Sequence, residues 1–307
     1  MSVFRSALLW ASENPTLRNK IPNMNFAKKA VKKFMPGEEL SDAINATKKF
    51  HEDGITTVFT HLGENINDLS EAEEVTKHYL LVLEEISKSN LKIEISLKLT
   101  QIGFDLSVEK TFENFVNICK KAKSLNNFVW IDMEGSKYTD KTIDFYKKVK
   151  EEIDNVGLCL QAYLYRTEKE LNDLLKIKPA IRLVKGAYKE PKEIAFEEKS
   201  KVDENYFKLS KILVEELKKD NVRAAFATHD LELVAKIKNF AQENSVDSEK
   251  LEFHMLYGIK SAEQLRLKKE GNDIRVLISY GHAWYPWYVR RLAERPANVM
   301  FVLKNLF

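Results

Sequence analysis

From residue 55 to its end the chain alternates between two rhythms of apolar and polar positions. Short apolar runs of about five to eight residues read as strands at 55–60, 92–99, 128–133, 156–162, 181–185, 223–228, 251–256 and 274–279. Between them apolar residues recur every three or four positions, the helical period. That pattern marks 70–87, with a stripe of Val75, Tyr79, Val82, Leu83 and Ile86. It returns at 108–125, 139–153, 168–175, 202–219, 231–243, 262–270 and 285–295. Ser70-Glu71-Ala72-Glu73 at the head of the first helix reads as a capping box. Eight strand–helix units in a row are the count of a (β/α)8 TIM-type barrel, an α/β fold; a doubly wound sheet would alternate too. The linkers are short and not rich in Gly, Ser or Pro, so residues 51–307 are expected to form one catalytic barrel domain. Residues 1–50 read as an N-terminal helical extension. Its basic helix at 23–34 ends at Met35-Pro36-Gly37, and a second helix covers 39–50.

The polar positions choose between the folds. In 92–99, Ile93, Ile95, Leu97 and Leu99 alternate with Lys92, Glu94, Ser96 and Lys98. A parallel strand is usually apolar on both faces; here one face is polar and ends in a lysine. Asp132 shares a face with Trp130 at the end of the third strand. Gln161 falls late in the fourth, Arg182 and Lys185 in the fifth, Thr228 and His229 close the sixth, and Glu64 follows the first. Functional groups of (β/α)8 barrels gather at the C-terminal strand ends. Lys98, Arg182 and Lys185, set against one carboxylate, Asp132, predict an anionic ligand at that mouth.

Each candidate has a plainer reading beside it. Lys98 and Lys185 can be Schiff-base nucleophiles or fixed positive charges. Gly186 lets backbone approach a ligand, or makes a routine turn. Asp132 and Glu134, two apart, suit acid–base work, metal binding or charge compensation; among so many cations compensation is expected and no metal. The six histidines lack ligand spacing. His51 and His78 read as surface residues, while His229 closes a strand. No Gly-x-Gly-x-x-Gly or Walker loop is present, so a dinucleotide would be held outside a Rossmann domain. After the last strand come Gly281, Pro286 and a helix with adjacent Arg290 and Arg291, ended by Pro296. Helix neighbours point ~100° apart, so the two arginines can grip one anion from two directions. Glu294 can pair with either. The plainer reading is a solvated, salt-bridged helix end.

Composition narrows the class. The chain has 307 residues, 44% hydrophobic and 31% charged, with a net charge of only +3. No basic segment interleaved with aromatics is present, so nucleic acid is not an expected partner. Two cysteines, Cys119 and Cys159, read as buried thiols in a reducing, cytoplasmic setting. No apolar run reaches the length of a membrane span. Residues 301–307 are apolar enough for peripheral contact with the inner membrane, or for packing on the barrel.

The stretch Arg290-Arg291-Leu292-Ala293-Glu294-Arg295-Pro296-Ala297-Asn298-Val299 resembles the C-terminal signature of the proline dehydrogenase family. Leu62-Gly63-Glu64, Lys98-Leu99-Thr100, Ile131-Asp132-Met133-Glu134, Gln161-Ala162-Tyr163-Leu164, the run from Arg182 to Tyr188, Ala227-Thr228-His229 and the run from Phe253 to Gly258 match its other blocks in order. The resemblance spans about residue 50 to the end, and with the helical preamble it is similar to the compact monofunctional form. It implies an FAD-dependent barrel enzyme that oxidises L-proline to 1-pyrroline-5-carboxylate by hydride transfer and passes electrons to a quinone. Met133, Gln161, Arg182, Lys185, Gly186, Ala187, Thr228 and His229 would contact FAD, with Arg182 approaching flavin N5. Lys98, Arg290 and Arg291 would hold the substrate carboxylate, and Leu256 and Tyr188 would pack near the rings. Asp132 and Glu134 join Arg182 as catalytic candidates, Asp132 orienting the cations. Glu64 would pair with Arg290 as a gate, and Glu294 would brace the arginines. Three positions depart from the family pattern: Thr60 for an Asp, and Leu277 and Trp287 for tyrosines. They leave the ring preference open between proline, 4-hydroxyproline and another cyclic amino acid. A Schiff-base lyase on Lys98 or Lys185, or a barrel that only binds an amino acid, stands as the alternative class.

Overall fold

The two rhythms resolve into strands and helices of one barrel in a computed structural model that describes residues 10–11, 14–21, 24, 27, 31–63 and 66–294. The strands are β1 (Thr56–His61), β2 (Ile93–Leu97), β3 (Val129–Ile131), β4 (Val156–Gln161), β5 (Ala180–Val184), β6 (Arg223–Ala227), β7 (Glu252–Leu256) and β8 (Asp273–Tyr280). All pair in parallel with their neighbours in sequence, and β8 closes on β1 with Thr60 opposite Ser279. The helices are α1 (Pro15–Lys20), α2 (Leu40–Glu52), α3 (Leu69–Ser89), α4 (Val108–Ser124), α5 (Thr139–Lys150), α6 (Thr167–Leu174), α7 (Lys199–Lys218), α8 (Leu231–Glu243), α9 (Ser261–Lys269) and α10 (Trp284–Glu294).

Period-two alternation decides what each strand buries. Ile93, Ile95 and Leu97 join the main apolar cluster with helix residues such as Leu83, Phe115 and Ile118. Each fully buried aliphatic or Phe side chain contributes about 1.5–3 kcal/mol, so this layer carries the barrel's stability. The alternate residues face inward. Val58, Trp130, Ala180 and Ala225 form a small apolar plug there, with Phe128 and Leu277 against it. Gly157 makes room for the indole: a Cβ at that position would run into the Trp130 ring.

Two local expectations change. The first barrel helix is capped at Asp68, not by a Ser70 box; Asp68 Oδ1 accepts from Ser70 N (2.8 Å) and Glu71 N (3.0 Å). A carboxylate at the N-terminus also answers the helix dipole, which a hydroxyl does not. β3 is shorter than predicted because its end is diverted: Asp132 N–H still bonds Leu97 O (2.9 Å), but its side chain turns to Arg182.

The extension is packed on the barrel. Thr47 Oγ1 of α2 lies 3.1 Å from Thr57 Oγ1 of β1. Ala27, Val31, Phe34 and Met35 share an apolar cluster with Trp284, Trp287, Tyr288 and Leu292 of α10. Glu38 fastens the start of α10: its carboxylate accepts from Trp284 Nε1 (2.8 Å) and lies 3.0 Å from His282 Nδ1, and its carbonyl accepts from Gly281 N (2.8 Å). Half of the helix expected at 23–34 and the whole of 301–307 lie outside the described residues. Among the described residues no helix is long and apolar enough to cross a membrane.

Candidate active site

The polar face of β2 runs the length of the barrel interior, and its three residues mark three levels. Glu94 belongs to the floor, at the N-terminal strand ends. It accepts from Trp130 Nε1 (2.8 Å) and Arg223 Nη2 (2.8 Å), and lies 2.5 Å from Arg275 Nη1. Glu252 closes the network against Arg223 Nε (2.9 Å), Arg275 Nε (3.0 Å) and His254 Nε2 (2.5 Å). Burial opposes ionisation of Glu252, but His254 and the two arginines outweigh it and hold the carboxyl well below its usual range. Burial likewise keeps His254 below its ordinary value, against the pull of Glu252. Arg223 lies over the Phe128 ring (4.3 Å) and the Trp130 ring (4.9 Å). The sequence reading missed this network. Its signal was present, since Arg223, Glu252 and Arg275 occupy strand positions between apolar neighbours.

Ser96 marks the middle level, where Arg182 is fixed on three sides. Its Nη2 donates to Ser96 Oγ (2.7 Å) and to Asp132, and its Nε donates to Cys159 Sγ (2.8 Å). The guanidinium stands 5.1 Å from the Trp130 ring centre. Cys159 is therefore buried as expected but is part of the site, and burial pushes its thiol up to about 11. It is a neutral acceptor here, not a nucleophile.

Above this level opens a cavity of about 540 Å³ at the C-terminal strand ends. That is within the range of small-molecule sites, roughly 300–1,000 Å³. The structure brings to it Lys98, Asp132, Met133, Gln161, Arg182, Lys185, Gly186, Ala187, Tyr188, Thr228, His229, Leu256 and Arg290. Thr60, Leu277 and Trp287, the three departures, line it too. Lys98 is buried, with no ion-pair partner among the described residues. Arg290 stands 5.7 Å from the Tyr188 ring centre. His229 Nε2 accepts the Leu256 N–H (2.8 Å), which fixes the imidazole against β7.

Some expectations land elsewhere. Glu134 does not line the cavity; its carboxylate accepts from Thr100 Oγ1 (2.7 Å) and Thr100 N (3.3 Å), bracing the turn after β2. Glu64 lies outside the described residues, as do the side chains of Arg291 and Glu294, although both of these sit in α10. The mouth is less cationic than Lys98, Arg182, Lys185 and one Asp suggested. Asp203, Asp230 and Glu197 also line it. Lys185 Nζ donates to Asp203 (2.5 Å) and Asp230 (2.9 Å), the posture of a fixed charge. Burial disfavours the Asp230 carboxylate, but Lys185 and Lys199 pull it down to about 2. Asp203 lies in α7, far along the chain from β5, where strand-end counting could not find it; Asp230 directly follows Thr228 and His229 at the close of β6 but was not singled out. His78 is half-buried, not a surface residue; its Nε2 lies 2.8 Å from Tyr280 Oη and its ring 4.3 Å from that of His61. Burial first, then His78 and His282, lower His61 to about 4.

Two observations bear on a bound group. Gln161 Oε1 and Arg182 Nη1 are buried without a protein partner, and both residues line the cavity. Buried polar atoms are rarely left so unless something else meets them. Gly186, at φ +114°, carries the backbone over the Tyr163 ring where a Cβ would collide with it. Among the described residues no group of His, Cys, Asp and Glu is arranged to hold a metal ion.

Comparison with known proteins agrees with this geometry. The family described as Proline dehydrogenase matches residues 43–304. Proline dehydrogenase 2 of Bacillus subtilis subsp. natto is 38% identical over 306 residues, covering 100% of this chain and 99% of that protein. Proline dehydrogenase of Deinococcus radiodurans is 32% identical over 313 residues, covering 99% of this chain and 98% of its own. In fold, the chain is similar to proline utilization A from Bdellovibrio bacteriovorus, with a TM-score of 0.82 at 22% identity over 95% of this chain and 38% of that one. With the barrel, the buried arginine and the full-length match in hand, the chain belongs to the proline dehydrogenase family, a flavin-dependent family of oxidoreductases.

Proposed function

We propose that this chain oxidises L-proline to 1-pyrroline-5-carboxylate with FAD held in the barrel mouth, the first step of proline catabolism. The observation that carries the reading is the convergence of Arg182 Nη1 and Gln161 Oε1, both buried and unpartnered, on the cavity that holds Lys98 and Arg290. The residues present fit a flavin. Gln161, Arg182, Lys185, Gly186, Ala187, Met133, Thr228 and His229 would hold it. Bound there, the flavin would supply the hydride acceptor.

The chain's own residues do the rest. Lys98 and the α10 arginines, Arg290 and Arg291, bind the substrate carboxylate, a charge-assisted contact made strong by burial. Fixing that end orients the ring carbon next to nitrogen, so positioning supplies much of the rate. Arg182 presents a preorganised positive charge whose direction is set by Ser96, Cys159 and Asp132. Asp132 acts by orienting Arg182. Leu256, Tyr188, Leu277 and Trp287 exclude water from the ring end. Glu64 would close on Arg290 as a gate. Residues 51–307 would form the catalytic barrel and 1–50 its extension, with a membrane quinone taking the electrons through peripheral contact. Denaturing the purified protein and identifying the released chromophore tests the cofactor. Stoichiometric FAD is expected; a colourless protein that takes up no flavin overturns the reading.

A further inference from the structure

The loop after β5 carries Lys185, Gly186, Ala187 and Tyr188 over the cavity, and its two ends are held very differently from its crest. At its base, Tyr163 N bonds Lys185 O (2.9 Å). On its return, Phe196 N bonds Tyr163 O (2.8 Å), Tyr165 N bonds Ile194 O (3.0 Å), and Tyr165 Oη donates to Lys192 O (2.8 Å). The crest between these lacings carries a different tie. Glu190 reaches across to the loop after β3, where its carboxylate accepts from Ser136 N (2.8 Å) and from Ser136 Oγ. Tyr163 Oη lies 3.4 Å from the same carboxylate, and its ring is the surface under Gly186. Burial and Glu190 both push the Tyr163 phenol above its usual range, so it stays a neutral donor.

We propose that Glu190 is a positioning residue: a carboxylate latch that ties the crest of the β5 loop to the β3 loop and so sets Tyr188 beneath Arg290. It touches neither the cavity nor the reacting atoms; Tyr188 and Arg290 line the cavity and Glu190 does not. The latch bridges over β4, the strand between the two it joins, so it closes the flavin side of the mouth across Gln161. Charged acceptors make the stronger hydrogen bonds. The inference rests on the flavin and proline reading of this cavity.

The test compares Glu190→Ala, Glu190→Gln and Ser136→Ala with the wild-type holoprotein. Steady-state kinetics with L-proline, the rate of flavin release on dilution into an excess of an FAD-accepting apoenzyme, and the thermal midpoint are read together. Glu190→Ala is expected to raise KM and speed flavin release about tenfold, with kcat within about twofold, the loss of a charge-assisted contact. Ser136→Ala keeps the N–H donor and is expected to move both by about threefold. Glu190→Gln still accepts from Ser136 N and is expected to recover most of the loss. The latch is overturned if Glu190→Ala leaves KM and flavin release within twofold of wild type. It is equally overturned if kcat, KM and the midpoint all fail together without recovery in Glu190→Gln, since that marks general damage. A wild type that carries no flavin or ignores proline refutes the parent reading instead.

Discussion

The two ends of the barrel interior hold similar residues to opposite effect. At the floor, Glu94, Glu252, Arg223 and Arg275 face one another, and each charge has a partner of opposite sign within 3.0 Å. At the mouth, Arg182 keeps a buried N–H without a partner and Lys98 stands without a counter-ion among the described residues. A buried charge costs several kcal/mol unless paired. The floor offsets that cost internally, so it can be structural. The mouth leaves it open at Lys98 and at one N–H of Arg182, which is tolerable only where a ligand completes the pairing. The same strand serves both ends, with Glu94 below, Ser96 between and Lys98 above.

That contrast can be broken from either side. The largest effect is expected from Arg182→Met, which should lower kcat by about 10²–10³-fold, the cost of removing one preorganised donor. Kinetics at saturating proline check it, with the folded barrel verified by circular dichroism. At the floor, Arg223→Met leaves Glu94 and Glu252 short of a partner and should destabilise by about 3–5 kcal/mol. Urea unfolding would show this, while kcat of the folded fraction stays near wild type; a selective loss of kcat would mean the floor takes part in chemistry. Lys98→Met should raise KM for proline by roughly 10²-fold with a smaller change in kcat, as expected for a buried charge contact. The smallest effect is on pH. His61, lowered to about 4, is neutral in the fold and takes up a proton more readily when unfolded. Its contribution is complete above the unfolded value near 6.5 and is lost as pH falls toward 4, on the order of 1–2 kcal/mol with its partial exposure allowed for. Thermal midpoints from pH 7 to pH 5 should therefore fall less in His61→Asn than in wild type.

The barrel was legible because its signal is periodic. Ile93, Ile95 and Leu97 announce one face of β2 whatever lies around them. Lys98, Asp132, Gln161 and Arg182 were legible because barrel geometry sends strand ends to a single mouth. Asp203 and Asp230 were not: they reach Lys185 from α7 and from the loop before α8, and no local pattern links them. Glu134 sits apart from the cavity for a related reason. Two residues after Asp132 it should share a strand face, but β3 has already ended and the chain turns toward Thr100. The floor network escaped because charged residues in strands were read only where strands end.

On this reading the mouth's unpaired groups serve a flavin and proline together. This is tested most directly by the visible spectrum of the purified protein before and after anaerobic addition of L-proline. An oxidised flavin band that bleaches on addition is expected, with Lys98→Met requiring far more proline for the same bleaching. A flavin band that proline leaves unchanged, in protein that is otherwise folded, would contradict it.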